Sequence, residues 1–82
     1  MPQQITYFAI VGGDRTVDNP SGLARRLVHD DGPEDESLRR DFSWKLSPVI
    51  IVWERGDLGE ELVEVSHAQA EKIIQYFRER WA

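Results

Sequence analysis

The sequence predicts an α+β domain: a mostly antiparallel sheet of four to five strands with one C-terminal amphipathic helix packed on it. Three observations lead there. Residues 5–11 form an apolar run rich in β-branched and aromatic residues, and Gly12-Gly13 stops it. Phe42, Trp44 and Leu46 alternate with Ser43 and Lys45, the period of a half-buried strand. Behind Ser66, the residues Ala70, Ile73, Ile74, Phe77 and Trp81 recur on one helical face.

In the first strand, Ile5, Tyr7, Ala9 and Val11 share one face, and Thr6, Phe8 and Ile10 the other. Both faces are largely apolar, which suits a central strand covered on two sides. Residues 14–21 read as a loop, with Asn19-Pro20-Ser21-Gly22 fitting a type I turn. Leu23 to His29 follows as a second, antiparallel strand whose Arg25, Arg26 and His29 suggest shallower burial.

Asp30-Asp31-Gly32-Pro33 ends that strand. Pro33 ahead of Glu34-Asp35-Glu36, with Arg39-Arg40 behind, matches a short helix near 33–40, an irregular loop being the rival. Asp35–Arg39 and Glu36–Arg40 would be its i,i+4 pairs. Val49 to Trp53 reads as a further strand, residues 55–60 as a hairpin loop and Leu62 to Val65 as the partner strand. Ser66 is the expected N-cap of the last helix, with Gln69 completing a capping box and Arg78 and Arg80 complementing the C-terminal dipole.

With 82 residues the chain is too short for two independent cores, so residues 1–82 are expected to form one domain. Hydrophobic residues make up 40% and charged residues 30%, a globular balance. The absence of cysteine excludes disulfides, thiolate metal sites and cysteine nucleophiles, and fits a reducing compartment. Fifteen acidic against ten basic residues give a net charge of −5, which weighs against phosphate-neutralising nucleic-acid binding. No apolar run is long enough to span a membrane, and Met1-Pro2-Gln3-Gln4 lacks a basic leader, so the expected setting is cytoplasmic.

Few segments suggest chemistry. His29-Asp30-Asp31 places an imidazole beside two carboxylates, but zinc needs three or four converging ligands and the only other histidine, His67, lies in the last helix. Five acids crowd residues 30–36, yet Gly32 and Pro33 break the spacing of a calcium loop. Gly12-Gly13-Asp14-Arg15 lacks the later glycine of a phosphate cradle, and Arg55-Gly56-Asp57 is explained by turn chemistry. The doublets Arg25-Arg26 and Arg39-Arg40 are expected to pair with the acidic tract beside them. No catalytic set, metal or cofactor is expected. If a small anion binds, Arg26, His29, Arg40 and Trp44 are the candidate ligands.

A count of faces drives the functional expectation. One long helix covers one side of the sheet, while the first strand and residues 49–52 are apolar on both. The surplus predicts a second copy or another protein against the sheet, with Phe8, Ile10, Trp53 and Trp81 as candidate interface residues. Trp81, close to the end of its helix, is expected to pack within the chain or on a neighbour. The leading expectation is a non-catalytic protein-interaction module that self-associates, most simply as a homodimer. The alternative is an anion-binding protein or weak enzyme with a pocket between helix and sheet.

Pro20-Ser21-Gly22-Leu23, Asp31-Gly32-Pro33, Arg39-Arg40-Asp41, Trp53-Glu54-Arg55-Gly56 and Glu64-Val65-Ser66 carry a resemblance over most of the chain. In them it resembles a group of short bacterial proteins, of actinobacterial type, to which no activity is assigned. The resemblance implies a bacterial cytoplasmic setting and no mechanism.

Overall fold

A computed structural model describes residues 4–81. Gln4–Val11 forms β1, Gly22–His29 β2, Gly32–Leu38 β3 and Trp44–Leu46 β4. Val49–Glu54 is helix α1, Glu61–Val65 is β5 and His67–Trp81 is helix α2. The strands make one sheet in the order β4-β3-β2-β1-β5, antiparallel at every pairing. The α+β class, the strand number and the long C-terminal helix match the sequence expectation.

β1 is an interior strand, between β2 and β5, and both of its apolar faces are covered. Tyr7 and Ala9 join Leu23 and Leu38 beneath Ala70, Ile73 and Phe77 of α2. Phe8 and Ile10, on the opposite face, pack against a second core of Ala24, Ile50 and Leu62. α2 begins as its capping signal demands: the Gln69 amide donates to the Ser66 hydroxyl at 3.1 Å. Trp81 stacks on Phe77 with centroids 4.1 Å apart, which settles its packing within the chain.

Two elements depart from the expectation. Residues 32–38 form β3, not a helix. Its acids do not reach Arg39 and Arg40 along a helix. They reach across the strand pair, Glu36 to Arg25 and Asp35 to Arg26, each at 2.7 Å. A seven-residue helix gains little from its own i,i+4 pairs, and the ladder to β2 outweighs it.

Residues 49–54 form α1, not a strand. β4 lies at one edge of the sheet and β5 at the other, so the chain must cross a face between them. α1 is that crossing, and it seals Ile50 completely. At its start the Val49 amide donates to the Ser47 hydroxyl at 3.3 Å. At its end Gly56 takes a left-handed φ of 81°. The Gly56 amide donates to the Trp53 carbonyl at 2.9 Å and the Asp57 amide to the Val52 carbonyl at 3.0 Å. That is the Schellman pattern, in which glycine avoids a Cβ clash. Gly56 thus ends a helix rather than turning a hairpin, and β5 pairs with β1.

The first loop also turns earlier than expected. The Asn19 amide donates to the Thr16 carbonyl, while Gly22 already pairs with Ile10. α1 has a further consequence: the chain's own segments roof both faces of the sheet. The count that assumed one roofed face is therefore corrected.

Candidate functional site

β2 alternates, and alternation decides where its arginines go. Arg25 faces the α2 side, where its guanidinium lies 4.1 Å from the Trp44 ring centroid and Nε donates to Glu36 at 2.8 Å. Arg26 faces the α1 side. It donates to both carboxylate oxygens of Asp35, at 2.7 and 3.0 Å, and to both of Glu54, at 3.0 and 2.9 Å. One guanidinium thus joins β2, β3 and α1. The hydrogen bond it donates to Asp35, then that to Glu54, raises Arg26 further above its ordinary value. Arg26 in turn holds the Glu54 carboxyl below its ordinary value.

The four candidate anion ligands do not converge. Arg26 is held by Asp35 and Glu54 on one face of the sheet, and Trp44 is committed to Arg25 and Tyr7 on the other. His29 ends β2 opposite Gly32, and Arg40 lies 5.4 Å from the Trp81 centroid, in the β3–β4 turn. Asp35 and Glu54 take four of the five N–H donors of the Arg26 guanidinium and already balance its charge, which leaves little to attract an anion.

The four candidate interface residues are also spent internally. Phe8 and Trp53 rings lie 6.0 Å apart in the second core, beside Ile10. Trp81 is held by Phe77 and by Phe42, whose centroid is 5.6 Å away.

Exposed apolar surface gathers elsewhere. Leu46 is 69% exposed and Ile51 42%. Together with Pro33 and Pro48 they line a shallow cleft of ≈ 370 Å³ where the end of β4 meets α1, with Glu34, Asp35 and Ser47 at its rim. Sequence reasoning missed this patch because it exists only once 49–54 is a helix. The available signal was the pair Ser47-Pro48 before the apolar run and Gly56 after it, a helix start and stop.

Asp41 is lowered by the Ser43 hydroxyl and then by the Ser43 amide, which close the β3–β4 turn. His67 Nε2 lies 3.0 Å from Glu71, one turn along α2, and its ring meets Tyr7 edge-on. Among the described residues no group of three or more His, Asp or Glu side chains is placed to hold a metal. No helix of the described residues is long and apolar enough to cross a membrane.

Compared with family models, curated proteins and solved structures, the chain matches none.

Proposed function

We propose that the protein is a non-catalytic interaction module that self-associates. One observation carries the reading: Arg25 and Arg26 are paired with Glu36, Asp35 and Glu54, while Leu46 and Ile51 stand exposed around one proline-lined cleft. In a two-fold arrangement the Leu46 side chain of each copy enters the cleft of the other. A patch this small suits a weak, reversible interface. The bacterial cytoplasmic setting rests on the resemblance of the turn and closing motifs.

Sedimentation equilibrium over micromolar to millimolar concentrations tests it. The expected result is a concentration-dependent shift toward dimer that Leu46→Ser removes while circular dichroism stays unchanged. A chain that remains monomeric across that range overturns the reading.

A further inference from the structure

β1 is paired on both sides, to β2 and to β5. β5 is paired on one side only and ends the sheet. Its outer backbone groups are a template for another strand. Proteins blunt such edges with charged side chains, above all lysine, and with proline, bulges or a covering segment, so the glutamates of β5 guard it against a like-charged strand but not against a basic one. Glu61-Leu62-Val63-Glu64-Val65 contains no lysine or proline, and it keeps a regular register with β1 along its whole length.

Its side chains indicate what the edge would accept. Leu62 is buried in the second core, which fixes the strand's orientation. Alternation then puts Leu62 and Glu64 on the α1 side, and Glu61, Val63 and Val65 on the α2 side. Val63 is 38% exposed. Glu60, Glu61 and Glu64 are all exposed. Glu60 accepts a hydrogen bond from the Ser21 hydroxyl at 3.0 Å. Among the described residues Glu61 and Glu64 take part in no ion pair, unlike Asp35, Glu36 and Glu54.

We propose that the β5 edge takes up an extended, basic segment of a partner protein as a sixth strand. The main chain of that segment continues the ladder. A cationic side chain on each of its faces meets Glu61 and Glu64, and an apolar one covers Val63. A second copy of this chain fits the edge poorly. Pairing β5 to β5 would line up Glu60, Glu61 and Glu64 from both chains along one seam with no cation of its own, in a chain already at −5. The inference uses neither Leu46 nor Ile51, so it and the self-association reading fail separately.

The test is amide hydrogen exchange on the full chain. The probe is a blocked peptide of about nine residues with arginine at every third position and valine between, matching the three-residue step from Glu61 to Glu64 on a strand edge. Exchange should slow within 61–65, and binding should weaken with added salt. The double variant Glu61→Lys/Glu64→Lys should lose affinity by about tenfold or more and gain it for the peptide with glutamate in place of arginine. Three results overturn the proposal. Exchange at 61–65 stays unchanged at millimolar peptide, or the double variant binds the basic peptide as well as the parent does. The third is protection of 61–65 that rises with chain concentration alone, which assigns the edge to a second copy.

Discussion

Arg26 and Asp35 face each other across β2 and β3 with Nε and Oδ1 2.7 Å apart, and the Asp35 side chain keeps only 6% of its surface exposed. The pair is two-pronged, which is the strongest geometry open to a guanidinium and a carboxylate. Because Arg26 also grips Glu54, it couples the strand pair to α1.

Truncating Arg26 leaves the largely covered Asp35 carboxylate without its partner, so Arg26→Ala should cost about 1–3 kcal/mol. Arg26→Lys should recover only part of this, since an ammonium cannot repeat the fork. Adding Asp35→Ala to Arg26→Ala should cost less than the sum of the two single changes. Urea unfolding of the parent and the four variants measures all three.

The same pair shows what was legible in the sequence. Both basic doublets were expected to pair with the acidic tract, and Arg25-Arg26 does, while Arg39-Arg40 does not. The route was not visible. Pro33, three acids and two arginines fulfil every local rule for a short helix, and the same residues satisfy a strand ladder better. β1 and α2 were readable because seven or more residues keep one unbroken period. Val49 to Trp53 is too short to separate a period of two from one of 3.6, and its β-branched side chains argued for the wrong one. The anion-site candidates failed for a related reason. Arg26 and Trp44, two of the four candidates, lie on opposite faces of the sheet.

Acid should loosen α1. Glu54 is held below its usual value near 4.5 by the hydrogen bond from Arg26. A group lowered on folding stabilises the fold above its unfolded value and loses that contribution as pH falls through the folded value. The parent should therefore exceed Glu54→Gln in stability at pH 7, and the gap should close below about pH 4. Denaturant midpoints for both chains across pH 3–7 check the sign.

The cap of α2 is a single hydroxyl. Ser66→Ala removes the acceptor for the Gln69 amide and should cost about 1 kcal/mol. For a chain of this size that is a fall of about 4–8 °C in thermal midpoint. Ser66→Asp should hold most of it, and thermal unfolding by circular dichroism reads both.

Phe42 has a φ of 66°, a left-handed conformation that a bulky side chain adopts at a cost. The turn imposes it: the Phe42 amide donates to the Arg39 carbonyl, and Asp41 accepts from both the amide and the hydroxyl of Ser43. The return is the contact with Trp81, reinforced by the Arg78 guanidinium 5.5 Å from the Phe42 ring. Phe42→Gly should cost about 1 kcal/mol in the parent, lost packing exceeding relieved strain. In a Trp81→Ala background the contact is gone and the same change should stabilise. A reversal of sign between backgrounds, measured by urea unfolding, is the signature.

Ile50 and Ile51 separate a helix from a strand at residues 49–54 more sharply than any other adjacent pair. In a strand covered on both faces, both side chains would be buried and both truncations would be costly. In α1, Ile50 has no exposed surface and packs against Ala24 and Leu62, while Ile51 points to the open cleft. Ile50→Ala should cost about 2–5 kcal/mol through the cavity it leaves. Ile51→Ala should cost less than about 0.5 kcal/mol when measured at concentrations where the chain is monomeric. Equal losses at the two positions would mean that the chain crosses the sheet face as an extended segment. The Leu46 cleft would then have no wall on its α1 side, and the self-association reading would lose its surface.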